Sequence, residues 1–445
     1  MSELRERLNR FKKPESERRP QAPVSISEDW SRIGAHLETN EWGSFIMRRL
    51  EYGAHSYHGR YQLGELSDRA HELSCFYPGT TLSQEDMIFF DTETTGLGVG
   101  AGNVPFMIGI GYYRGESFVV EQLFIRNPSE EQAMLSYLQE KLSRFTHIVS
   151  YNGRTFDWPI LKNRYVLNRL PFEDSELLHL DFLYPSRSLW RNTLPSCRLG
   201  KVEEDRLGFK RENDVPGSMA PALYFLYLAE KDARVLEGVF VHNEHDIVTL
   251  AALATHFSMV LGGELRFQEL EDEELFRTGL WLNKMNRCEL ADQAFECLWS
   301  RFMGPDYSLG QSGELILQLA DVYKKQTKYE RAVRLWERHI ELHNGGIALY
   351  LEPYTELAMY YEHKERNVEQ ALFYAEEAWA RLWRRRSLSR RDSKQLESEQ
   401  SLQKRLDRLQ NKRKNVEAGK SASALTKPST RKRREKPAYA MESLV

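Results

Sequence analysis

Three strand-length apolar runs follow one another by short links, and this spacing is the tightest constraint on the fold. Met87-Ile88-Phe89-Phe90, Phe106–Tyr113 and Phe118–Ile125 each read as a strand, with Arg114-Gly115-Glu116 turning between the last two. Parallel neighbours need a long crossover, usually a helix, so strands joined this way are expected to form an antiparallel meander. A helix opens at Ser129, with Glu131 close behind, and runs to about Phe145. His147–Tyr151 then reads as a strand, Phe156–Asn168 as a helix and His179–Phe182 as a fifth strand. Segments near 197–207, 218–233 and 242–258 read as helices. The expectation over residues 86–263 is therefore an α/β domain on a mixed sheet whose first three strands are antiparallel.

After Gly263 the strand signal stops. Ala294, Ala332 and Ala371 recur in similar amphipathic contexts, 38 and 39 residues apart, and Tyr323 and Tyr361 precede the last two. Small residues at a fixed period let paired helices approach closely, so residues 264–383 are expected to form an all-α, TPR-like helical repeat domain. Residues 1–28, rich in charge and proline, are expected to be flexible, and 29–85 to be a lead-in segment. Residues 384–445 read as a basic, disordered tail. From residue 381 onward Lys, Arg, Asp and Glu sum to +13, and because the whole chain sums to −3, residues 1–380 carry −16. Four cysteines without a CxxC pair give no zinc or disulfide signature and suit a reducing cytosol, so a cytoplasmic protein is expected. No apolar signal core opens the sequence, and Ile247–Gly262 is read as too short to span a bilayer, so no membrane partner is expected.

Three acidic motifs stand at the ends of these elements. In Phe90-Asp91-Thr92-Glu93-Thr94-Thr95-Gly96 two acids lie two residues apart at a strand end, which turns both to one face. Asp157 ends Ser150-Tyr151-Asn152-Gly153-Arg154-Thr155-Phe156-Asp157, between a strand and a helix. Asp246 ends His242-Asn243-Glu244-His245-Asp246, with His242 one helical turn behind it. Four converging carboxylates would repel one another unless cations neutralise them. The set therefore points to hard divalent ions such as Mg²⁺ or Mn²⁺, two of which can serve the attacking and leaving oxygens of phosphodiester hydrolysis.

These motifs resemble the three exonuclease motifs of the DEDD superfamily, whose fold is ribonuclease H-like. With residues 102–113, 179–191 and 194–203, the longer pattern resembles the YprB-like branch of that superfamily. The resemblance covers roughly residues 86–260. It implies two-metal 3′→5′ exonuclease activity on a nucleic-acid end, a single-stranded one being the expected partner, with Asp91, Glu93, Asp157 and Asp246 as metal ligands and catalytic residues. Better-known branches place His five residues or Tyr four residues before the last Asp, whereas here His242 takes the four-residue spacing. An imidazole there can act as general base, and His245 should point elsewhere. Thr94, Asn152, Arg164 and Arg187 are candidates for substrate binding, as is Arg191 for a phosphate. The alternative reading is a nucleic-acid or protein-binding module with weak or no catalysis, using the helical repeats as an interaction platform.

Overall fold

The computed structural model describes residues 29–96, 102–305, 307, 313–343, 350–386 and 393–424. The chain divides into two compact units, Met1–Leu298 and Trp299–Val445. In chain order the strands of the first unit are β1 (Ala35–Asn40), β2 (Gly43–Tyr52), β3 (Tyr57–His58), β4 (Tyr61–Gln62), β5 (Met87–Thr94), β6 (Pro105–Arg114), β7 (Ser117–Phe124), β8 (His147–Ser150) and β9 (Leu178–Asp181). Seven of them make one sheet in the order β1-β2-β7-β6-β5-β8-β9, while β3 and β4 form a separate hairpin. The meander β5-β6-β7 is antiparallel, and β8 and β9 continue parallel to β5. This is the mixed sheet of a ribonuclease H-like domain, as the sequence pattern predicts.

The lead-in is a correction to that pattern. Residues 35–52 are not set apart from the domain but extend its sheet, with β2 pairing antiparallel to β7 from Ile46↔Phe124 to Tyr52↔Phe118. Phe45, Ile46 and Met47 are buried. The strand is hard to see in the sequence because β2 ends in charges that have partners: Arg48 donates to Gln122 Oε1 at 3.0 Å and Glu244 Oε2 at 2.8 Å.

The first six helices of this unit are α1 (Glu131–Leu142), α2 (Asp157–Leu167), α3 (Leu183–Trp190), α4 (Leu199–Val202), α5 (Ala220–Glu230) and α6 (Glu237–Gly262). The segment read as a helix near 197–207 is one α turn followed by a π turn, Glu203–Leu207, which stops at Gly208 with φ 74°. Helix α6 lies across β5, β6 and β7. Its approach depends on two glycines: a Cβ at Gly109 would sit 2.2 Å from Asn243 Oδ1, and one at Gly111 2.5 Å from Ile247 Cγ2. The helix is longer than its apolar end, Ile247–Gly262, because it starts at Glu237. By length and composition Ala233–Gly262 would suffice to cross a membrane, yet 78% of its most apolar stretch is buried inside the protein, as in a core helix.

Helical pairs follow: α7 (Asp272–Lys284) and α8 (Cys288–Met303), α9 (Gly313–Lys325) and α10 (Tyr329–Leu342), α11 (Glu352–His363) and α12 (Val368–Arg386). Ala294, Ala332 and Ala371 lie on the second helix of each pair and are fully buried, as close helix packing requires. The expected boundary at 263 moves, however, because α7 docks on α3. Trp190 Nε1 donates to Glu274 Oε1 at 2.7 Å, and Arg206 pairs with Glu274 at 3.3 Å. The division between the units falls within α8.

The expectation of a disordered tail also needs correction, since α13 (Ser393–Ala424) is a long helix. Leu402, Leu406 and Leu409 recur at helical spacing and bury against Tyr354, Ala358, Ala371, Ala375 and Leu382. Arg405, Arg408 and Lys412 meet the buried Glu362 at 3.2, 2.7 and 2.8 Å, so part of the basic charge is structural. Residues 1–28 and 425–445, whose flexibility and basic character the sequence suggests, lie outside the described residues.

A chain shortened to end after Gly263 should unfold at a lower temperature than one ending after Leu298, because loss of α7 uncovers Trp190 and Phe257. The expected deficit is on the order of 3 kcal/mol, the scale of a large aromatic side chain removed from a core. Equal melting temperatures would show that α7 adds nothing to the first unit.

Candidate active site

Strand β5 ends in the acids that matter most. Asp91 pairs in register with Gly109 and Glu93 with Met107, and a register shift follows between Glu93 and Thr94. Strand alternation turns both acids toward α6. Asp157, the first residue of α2, reaches the same strand end and accepts from the Thr92 hydroxyl. Gly153 makes room for it: a Cβ there would stand 2.6 Å from Ser150 Oγ and 3.4 Å from Asp157 Oδ2. Helix α6 contributes His242, Asn243 and Asp246. The Asn243 amide is held from both ends, accepting from Gln122 Nε2 at 2.9 Å and donating to Asp91 Oδ2 at 2.9 Å.

The electrostatics record how close these groups are. Burial, then the charges of Asp246, Asp157 and Glu93, hold the Asp91 carboxyl well above the carboxylate range. Burial pushes Glu93 up to about 8, with Asp246 and Asp157 adding to the effect and His242 opposing it. Burial likewise raises Asp157 to about 6 against the hydrogen bond from Thr92. Elsewhere in the same sheet the buried Glu121 is satisfied: Lys141 Nζ lies 3.0 Å away, and the Tyr112 and Tyr137 hydroxyls donate to it at 2.7 and 2.9 Å. Among the described residues the four acids at the strand end have no comparable set of donors.

Two cationic side chains do face them. Arg211 is half-buried with its side chain 7% exposed, donating to Asp246 Oδ1 at 2.5 Å and to Glu203 Oε2 at 2.6 Å. Glu203 in turn accepts from His58 Nε2 at 3.0 Å and from Thr249. His242 presents Nε2 to Asp246 Oδ2 at 3.5 Å and to Glu93 Oε1 at 3.9 Å, while Nδ1 lies 2.9 Å from Asp214 Oδ1. A carboxylate only accepts, so Nδ1 carries the hydrogen, and the 3.3 Å approach of Arg211 Nη1 to that nitrogen is not a hydrogen bond. Burial disfavours the charged ring, but the hydrogen bond to Asp214 and the charges of Asp246 and Glu93 outweigh it and raise His242 to about 9.

Asp91, Glu93, Asp157, Asp246 and His242 thus come together from three elements. The other sequence candidates divide. Asn152 adopts a left-handed φ of 67° on the loop before Asp157, and its N–H donates to Asp181 Oδ1 at 2.8 Å. Thr94 is buried and donates its hydroxyl to the Gly96 carbonyl at 2.7 Å, shaping the strand end. Arg164 is not at the site. It lies two helical turns beyond Asp157 and makes a two-pronged pair with Glu131, at 2.5 and 2.6 Å. Arg187 is exposed on α3. His245 turns away, edge-on to Phe209. Sequence reasoning missed Arg211, Asp214, Asn243 and Asp181. The first two sit in a segment without apolar period, whereas Asn243 and Asp181 stand inside recognised stretches, between His242 and Asp246 and within residues 179–191.

An all-oxygen donor set suits Mg²⁺ or Mn²⁺ in its chemistry. Each carboxylate is nonetheless engaged with a neighbour, and among the described residues no three His, Cys, Asp or Glu side chains stand in ligating geometry.

Similarity to known proteins fits this geometry. The model of the RNase_H superfamily matches residues 88–258, which include all four acids and His242. Over 363 residues, 80% of this chain and 85% of its relative, the sequence is 33% identical to a Bacillus subtilis (strain 168) protein named "Uncharacterized protein YprB". The chain belongs to the YprB family, within the ribonuclease H-like nuclease superfamily. A family B DNA polymerase from the hyperthermophilic archaeon Pyrobaculum calidifontis aligns with 50% of the chain at 14% identity and a TM-score of 0.31. The match spans 29% of the polymerase, a likeness too slight to bear on function.

The raised carboxyls make stability depend on pH in a definite direction. Glu93 takes up a proton on folding between its ordinary 4.5 and about 8, so without metal the folded state loses stability as pH rises through that window. His242, raised from 6.5 to about 9, acts in the same direction at higher pH. In chelator, Glu93→Gln should therefore gain melting temperature relative to wild type between about pH 5 and about pH 8. A difference that stays constant across this range would refute the placement of Glu93.

Proposed function

We propose that the chain is a divalent-metal-dependent 3′→5′ exonuclease that hydrolyses phosphodiester bonds at nucleic-acid ends. One observation carries the reading: four carboxylates from three separate elements meet at one end of the sheet, where burial first and neighbouring charge second raise the proton affinity of Asp91, Glu93 and Asp157. A fold bears that cost where cations are to be received. Asp91, Glu93, Asp157 and Asp246 would hold two Mg²⁺ or Mn²⁺ ions, which when bound stabilise the attacking and leaving oxygens of the displacement.

His242 Nε2 is the proton acceptor for the attacking water. Asp214 holds Nδ1–H and so fixes the tautomer that leaves Nε2 available. While the carboxylates are uncompensated the ring is protonated near neutral pH; compensating Asp246 and Glu93 takes away part of that pull and leaves the part that comes from Asp214. Arg211 anchors Asp246 between Glu203 and the site. Asn152, on the loop before Asp157, and Arg187 line one hollow and would meet the terminal nucleotides. The helical repeats, which expose Phe373 and Trp383, would serve a protein partner. The grip of Arg211 on Asp246 favours a second reading, a binding module without catalysis, in which a guanidinium replaces metal charge.

One experiment separates the two. Purified protein with end-labelled single-stranded DNA or RNA should release nucleotides from the 3′ end in Mn²⁺ or Mg²⁺ and not in chelator. Asp91→Ala and Asp157→Ala should each abolish release while remaining folded. Wild-type rates in both variants would point to a contaminating nuclease and leave the binding module.

The base assignment has its own check. His242→Ala should slow single-turnover hydrolysis by about 10²–10⁴-fold with metal affinity little changed. Asp214→Asn should give a smaller loss and shift the pH–rate profile, since the ring loses the partner that sets its tautomer. A folded His242→Ala protein with unchanged turnover would remove the role.

A further inference from the structure

Outside the carboxylate cluster, the first unit has a basic feature of which the reading above uses only the end at Asn152 and Arg187. Two open hollows, of about 520 and 360 Å³, lie along α3. The larger is bounded by Tyr151, Asn152 and Arg198, the smaller by Tyr184, Arg277 and Lys284, and Arg187 and Arg191 line both and so join them. No Asp or Glu lines either hollow, although residues 1–380 sum to −16. Of the five cations only Arg277 has a carboxylate partner among the described residues, Glu273 at 2.8 Å. Free cations gathered on an acidic body represent a repulsion that an anionic ligand would relieve.

The geometry points to a trough that tracks the backbone of a single nucleic-acid strand leading away from the carboxylate cluster. This rests on the exonuclease reading for its direction but not for its chemistry. Three observations support it. The trough opens on the Tyr151–Asn152 loop, five residues before Asp157, whose backbone is pinned to Asp181 by N–H bonds from Asn152 and Arg154 at 2.8 and 3.2 Å. Arg187 and Arg191 lie one helical turn apart, about 6 Å along the axis, the order of the step between phosphates of an extended strand. Tyr184 on the same helix is 48% exposed, and an exposed ring beside a row of cations is what an unpaired base needs for stacking. A duplex offers no free base face to such a ring.

The test uses the full chain and a fluorescein-labelled oligo-dT or oligo-U of about 15 nucleotides, with anisotropy read in chelator so that nothing is cut. The triple variant Arg198→Ala, Arg277→Ala, Lys284→Ala should bind at least tenfold more weakly. Its salt dependence should also be shallower, by about 0.7 in the slope of log K against log salt for each phosphate that is no longer neutralised. Tyr184→Ala should weaken binding about 5- to 100-fold, and Tyr184→Phe should restore most of it. In parallel, metal-dependent hydrolysis of bis(p-nitrophenyl) phosphate, too small to reach the trough, should be unchanged in the triple variant.

Unchanged affinity and salt slope in the triple variant would overturn the trough, whatever the small diester does. Weaker binding of a polyglutamate peptide with oligonucleotide binding intact would also overturn it. Loss of oligonucleotide binding in a protein whose wild type leaves the small diester uncut would support the trough and count against the exonuclease reading alone.

Discussion

Bringing four carboxylates to one sheet end is the constraint on which the rest of the first unit depends. A buried acid is tolerable when donors and cations surround it, as Lys141 and two tyrosines surround Glu121. At the β5 end the compensation is thin: one amide on Asp91, one hydroxyl on Asp157, Arg211 on Asp246 and an imidazole near Glu93. The protein keeps a concentrated negative site folded by building its core around it, with the sheet on one side and a long apolar helix on the other.

The supports reach further along the chain than the site itself. Glu203 steadies Arg211, His58 steadies Glu203, and His58 stands on the small β3–β4 hairpin. Next to it a Cβ on Gly59 would fall 2.1 Å from the Leu207 carbonyl, at a φ of 62° that already favours glycine. On the opposite flank Arg48 of β2 reaches Glu244, one residue from His245 and two from Asp246. The segment before residue 86 therefore carries the outer ring of hydrogen bonds that orient α6. That ring connects sequence regions more than a hundred residues apart, so no local pattern reveals it.

What could be read from the sequence follows from this difference. The meander, the parallel continuation and the four acids are legible because each lies in a short motif with strand or helix periodicity, and Asp91 and Glu93 even declare their shared face by their spacing. The buried alanines of the helical pairs are legible for the same reason. Asp214 and Arg211 are not, since what ties them to the site is side chains 28 to 35 residues away. Strand β2 looks polar because its arginines have partners that a linear reading cannot see. Arg164 misleads in the opposite way: an arginine two turns along the helix from a candidate ligand invites a phosphate, but Glu131 across the fold has already taken it. Around Leu402, Leu406 and Leu409 the composition argues for a solvated tail, yet three leucines at helical spacing are enough for α13 to pack.

Gly109 and Gly111 set the distance between α6 and the sheet. Asp91 and Glu93 belong to the sheet and Asp246 to the helix, so this one gap acts as the caliper of the site, fixing how far apart the two halves of the donor set can stand. A single methyl on either glycine would pry the layers apart without altering any charged group. Such a change would look like a loss of chemistry while leaving every reactive side chain in place. In this architecture the smallest residues of a central strand govern the spacing of the most highly charged ones.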